Sequence, residues 1–228
     1  MKIRSLLLLV SLLLLVCAPM VSAEPILDFA RGYAAAGGTI SWTGNSADGL
    51  TASLIPIGVV TSLGTPANDL AVLPITNGVF SFTTGSFVGM SGSSYVFSAG
   101  GSATMTGGIA GITGLSSDQS VLLTGLNVAA TVDPSGTVTI TLANGTDSKN
   151  PLLTAYFGLP STPWAFGPAS IQTQTFTLDN SVGTSGVKGF TSGPAFSVDV
   201  PNTLVPEPGT LVLLGTGLLG AFFLRRRS

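Results

Sequence analysis

Gly136-Thr137-Val138-Thr139-Ile140-Thr141-Leu142 alternates threonine with apolar side chains, residue by residue. Successive side chains of a strand point to opposite faces, so this period of two puts Val138, Ile140 and Leu142 on one side and the threonines on the other. On a helix both sets would scatter around the circumference. The stretch is a half-buried strand, and it sets the fold class for what surrounds it. Just upstream, residues 121–132 form a longer apolar candidate interrupted by Gly125. Between the two lies Asp133-Pro134-Ser135-Gly136, a strong turn signal. Residues 121–144 therefore predict a hairpin, closed off by a second turn signal at Asn144-Gly145.

Working outward, residues 171–178 alternate in the same way, with Gln172 and Gln174 on the polar face. Residues 39–43, 79–83, 94–98 and 195–200 are shorter strand candidates, and residues 50–60 a longer one interrupted by Pro56. Asn77-Gly78 and Gly100-Gly101 add turn signals. Residues 107–114, rich in glycine, suggest a flexible loop or a bulged strand. Residues 151–168 pack prolines with Tyr156, Phe157, Trp164 and Phe166 and suggest an irregular loop holding an aromatic cluster. Between the two ends no stretch has helical periodicity. Charged residues are only 8% of the chain, but its 45% hydrophobic content argues against disorder. Many short strands separated by turns indicate a sandwich or a barrel. The expectation is an all-β, two-sheet sandwich over residues 24–202, with strand order open.

The flanks differ in kind from this body. Met1-Lys2-Ile3-Arg4 is a basic start, residues 6–16 are apolar apart from Ser11, and Val21-Ser22-Ala23 supplies small residues before Glu24. These are the three regions of a secretory signal peptide over residues 1–23, with cleavage between Ala23 and Glu24. Cys17 follows Val16, which is too large for a lipoprotein signal. At the other end, Pro206 and Pro208 fix φ and lack donors, holding Glu207 in an extended segment that no helix runs through. Residues 209–224 are uncharged and apolar, about 24 Å long as a helix against a hydrocarbon core of about 30 Å. Arg225, Arg226 and Arg227 then favour a cytoplasmic end by the positive-inside bias. A transmembrane helix over 209–224 with a basic stop is expected, making residues 203–228 a separate tail segment.

The order of these features, Val205-Pro206-Glu207-Pro208, apolar helix, arginine cluster, resembles the PEP-CTERM protein-sorting domain of Gram-negative bacteria. The resemblance covers roughly the last 24 residues, and all three Pro-Glu-Pro residues match. It implies export, transient tethering in the inner membrane and handling by exosortase, a membrane-embedded cysteine protease that recognises the motif. It further implies passage to the cell surface or extracellular matrix. Family members are associated with biofilm-forming species that make exopolysaccharide, a further partner the resemblance suggests.

The body offers little chemistry. Without both flanks it keeps three cations (Arg31, Lys149, Lys188) and nine carboxylates, hence a formal charge of −6. Nucleic-acid binding requires phosphate-neutralising Lys and Arg, and is excluded. The chain has no histidine, and its one cysteine leaves with the signal peptide. That removes Ser-His-Asp triads, histidine-ligated zinc, thiol catalysis and disulfides. Neither a catalytic residue, a metal ligand nor a cofactor is expected. Most aspartates sit beside turn formers, where they bond their own backbone. Residues 144–150, with Asn144, Asp147 and Asn150, offer oxygen ligands for calcium but lack the spaced Asp array and terminal Glu of a calcium loop. Trp164 and Phe166 could form a sugar-stacking platform. Three functions follow. The first is a non-enzymatic structural or adhesive protein of the surface or matrix, the second a carbohydrate-binding module, the third an Asp-dependent hydrolase.

Overall fold

The computed structural model describes residues 26–134, 138–143, 145–160, 164–166 and 169–204. The signal segment with Ala23 and Glu24, the motif at Val205, Pro206, Glu207 and Pro208, the expected membrane helix and Arg225, Arg226 and Arg227 lie outside the described residues. Within them the chain is almost wholly β, as expected. Its strands are β1 (Ile26–Ala30), β2 (Thr39–Trp42), β3 (Gly49–Leu63), β4 (Val72–Ser91), β5 (Ser94–Gly108) and β6 (Val121–Asp133). Then come β7 (Val138–Ala143), β8 (Thr146–Lys149), the short helix α1 (Pro151–Tyr156), β9 (Trp164–Phe166) and β10 (Ala169–Thr173). β11 (Phe176–Val182), β12 (Lys188–Ser192) and β13 (Ala195–Leu204) complete the described chain.

The expected two-sheet sandwich is replaced by a closed barrel. From β3 the antiparallel pairing runs through β4, β5, β6, β7, β10 and β13 to β1, and β1 pairs back to β3, a ring of eight strands. Closure rests on β1, whose Phe29 faces Val60 of β3 on one edge and Val200 of β13 on the other. The hairpin predicted over 121–144 is present, with Asp133 opposite Thr139. Its expected end is not. β6 pairs Ala129 with Ala143 of β7 and Leu126 with Thr146 of β8 in unbroken register, so β7 and β8 follow one another along β6 with no reversal between them. In the same way β9 and β10 lie end to end against β13.

Two further predicted turns are bulges. Asn77 (φ 48°) and Gly78 sit inside β4, where the register to β5 shifts between Thr76 and Val79. Gly100-Gly101 sits inside β5, and a Cβ on Gly101 (φ 63°) would meet the Thr83 carbonyl oxygen at 2.5 Å. Bulges bend and twist long strands, and a barrel wall needs both. Pro56 is tolerated in β3 because β2 pairs residues 51–53 and β1 pairs residues 59–63 of that edge, leaving Pro56 between them. The single strand predicted over 171–178 is two. β10 stays in the barrel wall, and after Gln174 and Thr175 the chain leaves to form β11, which pairs β12, which pairs β2.

Side chains alternate across the wall. Phe80 and Phe82 of β4 and Ala103 and Met105 of β5 point inward, while Ser81, Ser102 and Thr104 point outward. Apolar-in and hydroxyl-out is the reverse of the pattern on lipid-facing barrels. Residues 107–114 do not form a free loop. Ile109 and Ile112, with Leu115 just beyond, are buried, and together with Leu153 of α1 and Phe157 just after it they belong to the core. The loop expected at 151–168 contains α1, capped by the Asn150 side chain, which accepts from the Leu152 N–H at 3.0 Å with proline at the first turn. The same core includes an aromatic group between β2, β4, β5 and β12, with Trp42 against Phe87 at 4.4 Å and Phe97 at 5.5 Å and Phe190 against Tyr95 at 5.0 Å.

Among the described residues no helix is long and apolar enough to cross a membrane. Phe80 is fully buried between the rings of Phe82 and Phe166. Phe80→Ala is expected to destabilise the body by about 3–5 kcal/mol in urea unfolding. A loss below about 1 kcal/mol would mean the barrel interior is not packed as described.

Candidate functional site

Among the described residues, Asp147 and Lys149 are the buried charged side chains, and they lie together inside the barrel. β8 reads Thr146-Asp147-Ser148-Lys149, so Asp147 and Lys149 share a face, and that face is inward. Both side chains are inaccessible to solvent, and Lys149 Nζ donates to Asp147 Oδ1. It also donates to Oδ1 of Asn202 on β13 at 2.9 Å, while Asn202 Nδ2 donates to the Val200 carbonyl at 2.6 Å. The Trp164 and Phe29 rings flank Nζ at 4.9 and 5.7 Å from their centroids. Asp147 Oδ2 and Trp164 Nε1 are buried with no hydrogen-bond partner. Burial pushes the Lys149 amine down to about 8, against the opposing pull of Asp147. Burial likewise pushes the Asp147 carboxyl up, against Lys149.

This geometry corrects two expectations. Asp147 is not a turn aspartate or a calcium ligand, because residues 146–149 are a strand and its carboxyl is engaged by Lys149. Trp164 cannot stack on a sugar, because it is fully buried inside the barrel with Phe166 beside it. Phe166 fits there because Gly125 and Gly145 carry no side chain; a Cβ on Gly145 would lie 2.2 Å from the ring. Among the described residues no cluster of three or more metal-ligating side chains occurs.

Of the other aspartates, Asp69 bonds nearby backbone as expected, whereas Asp48 and Asp118 accept from side chains. Asp48 accepts from Thr43 and Asn45, and these bonds hold its carboxyl below the usual range. Asp118 accepts from Asn77 and Thr76 with the same effect. Asp69 accepts from the Thr65 N–H at 3.2 Å. Sequence reasoning missed one pairing: Asp28 of β1 hydrogen-bonds Asp199 of β13 on the outer wall, at the seam that closes the barrel. Burial, then the Asp199 hydrogen bond and charge, push the Asp28 carboxyl from 3.8 up to about 7. On the barrel's surface a shallow groove of about 560 Å³ is bordered by the fully exposed Tyr33 and by Pro56, Pro74 and Asn77. The carboxyl pair does not line it.

A closed barrel whose last strand leads into a proline-flanked, apolar, arginine-ended tail has the organisation of an exported precursor. Residues 204–227 match the family model described as PEP-CTERM protein-sorting motif. That motif marks a protein that is exported, sorted by exosortase, a membrane protease, and carried to the cell surface. No curated protein and no solved structure matches the chain.

The Asp28 shift has a signed consequence. The folded state holds this proton up to about pH 7, whereas the unfolded chain releases it near 3.8. Between these values the native state binds more protons, so stability is greatest below the window and falls as pH rises through it. Asp28→Asn keeps a hydrogen-bond donor and removes the charge. It is expected to flatten the Tm profile across the window and raise Tm near neutral pH by about 2–4 °C. An unchanged profile in thermal melts would show that the pair does not share a proton.

Proposed function

We propose that this protein is a non-enzymatic structural or adhesive component of the surface or extracellular matrix of a Gram-negative bacterium. In this reading a signal peptide over residues 1–23 directs export, and the tail tethers the precursor in the inner membrane until exosortase acts. The observation that carries the reading is the sorting motif beginning where β13 ends. The body supports it in two ways. Its interior is lined by buried apolar and aromatic side chains, and its outer wall is rich in Ser and Thr with few charges. An uncharged hydroxyl-rich wall suits contact with neutral polymer or with other copies of itself, since little charge has to be desolvated.

A second reading, binding of exopolysaccharide, is favoured by the groove beside Tyr33, because a fully exposed tyrosine next to a concave wall suits stacking on a sugar ring. Tyr33→Ala is expected to abolish retention on the native host's polysaccharide if this reading holds, and to leave it unchanged if adhesion occurs elsewhere.

The sorting reading is tested by intact mass of the product from native envelope and medium. The expected species begins at Glu24 and ends within Val205 to Pro208, and Glu207→Ala accumulates a form that keeps Arg225, Arg226 and Arg227. Recovery of wild type at the surface with the arginines still attached would overturn processing of the tail.

A further inference from the structure

Burying an amine and a carboxylate is an expensive way to hold a barrel together, since apolar residues of equal volume usually stabilise as well or better. The arrangement at Asp147, Lys149 and Asn202 has a more specific feature. The amine is held against a primary carboxamide, Nζ to Oδ1 2.9 Å, in a site closed to water. Asn202 is fully buried and its amide nitrogen is already engaged by the Val200 carbonyl, so the amide plane cannot turn away. A carboxyl group, Asp147, also accepts from the amine and has one oxygen, Oδ2, unpartnered. Nucleophile, acyl carbon and proton-transfer group are thus assembled in one dry compartment walled by Phe29 and Trp164.

We infer that Lys149 and Asn202 become joined by an intramolecular isopeptide bond, formed by the folded barrel on itself with Asp147 as the catalytic acid and base. Burial prepares the reactants, because the downward pull on the Lys149 amine and the upward pull on Asp147 both favour the pair as neutral amine and neutral carboxylic acid. The free amine attacks Cγ of Asn202, forming the Nζ–Cγ bond while Asp147 lends its proton to the developing oxyanion. Asp147 then takes a proton from Nζ and delivers one to Nδ2. The Cγ–Nδ2 bond breaks, ammonia leaves, and the Cγ hydroxyl returns its proton to Asp147 as the carbonyl re-forms. Asp147 ends as it began, an amide has been exchanged for an amide, and neither oxidant nor water is consumed. Proximity is the main source of acceleration, because both partners are fixed by the fold and the site excludes competing water.

The link joins residues 53 apart in sequence and ties β8 to β13 across β9. β13 is the strand that closes the barrel on β1 and leads into the sorting tail. The bond would therefore secure the body at the point where it is held and cut. An exported body without cysteine would acquire in this way the covalent tie that disulfides give other secreted proteins.

The test is mass spectrometry of the folded, purified full chain after denaturation and tryptic digestion. The expected result is a mass lower by one ammonia, no cleavage after Lys149, and a branched species joining the peptides that contain Lys149 and Asn202. Asp147→Asn, close in shape, is expected to restore the full mass and separate the two peptides. Asn202→Asp serves if that variant fails to fold: its link would release water instead of ammonia, a different mass change at the same two residues. Wild-type chain at full sequence mass with separate peptides overturns the inference. So does a loss of water mapped between Asp147 and Lys149, which would be a different bond.

Discussion

The structure depends on the double pairing of one five-residue strand. β1 is held on one edge by β3 and on the other by β13, and without it the remaining strands would form an open sheet with two long unpaired edges. Unpaired edges invite association with other chains, and closure removes them. Leu27 and Phe29, both fully buried, anchor this strand from inside, so its position is fixed by packing as well as by hydrogen bonds. The seam also holds the Asp28–Asp199 contact on its outer side and Asn202 on its inner side. The paired carboxyls and the buried amine–carboxamide contact therefore lie along the same closure.

Closure also explains the use of glycine. A small barrel with many aromatic residues inside must give up wall side chains where a ring approaches, as Gly125 and Gly145 do for Phe166. It must also bend its long strands, and β4 and β5 bend at Asn77-Gly78 and Gly100-Gly101. The chain's high glycine content and low charge, which resemble a linker's composition, are here the requirements of a tight, filled barrel.

This accounts for what could be read in advance. Alternation of Thr with Val, Ile and Leu identified β7, and short strand-like runs placed β2 and β13, because period two is local; β6 was read from a longer apolar run. The strand ends were harder. Asn-Gly and Gly-Gly favour a hairpin turn and a bulge through the same positive φ, and only the partner strand decides between them. α1 was too short for periodicity, although Asn150-Pro151 is a cap signal in its own right. Sandwich and barrel differ by pairing between residues 26–30 and two distant strands, which nothing in either stretch announces. The interior site was not read in advance, because residues 144–150 read as a turn and not as a strand. Asp147 and Lys149 stand two apart, which places them on one face, but Asn202 joins them only through the barrel's closure. The sorting tail was the most legible part of the chain, because its meaning lies in a linear order of residues and not in a fold.

Amide hydrogen exchange along β1 tests the closed barrel most directly. In the closed form every amide from Leu27 to Ala30 is bonded to β3 or to β13, and all are expected to exchange only through global unfolding, as slowly as the β4–β5 ladder. If alternate amides of β1 exchanged orders of magnitude faster than their neighbours, β1 would be an edge strand. The barrel would then be open, and the site assembled across its seam would not exist as described.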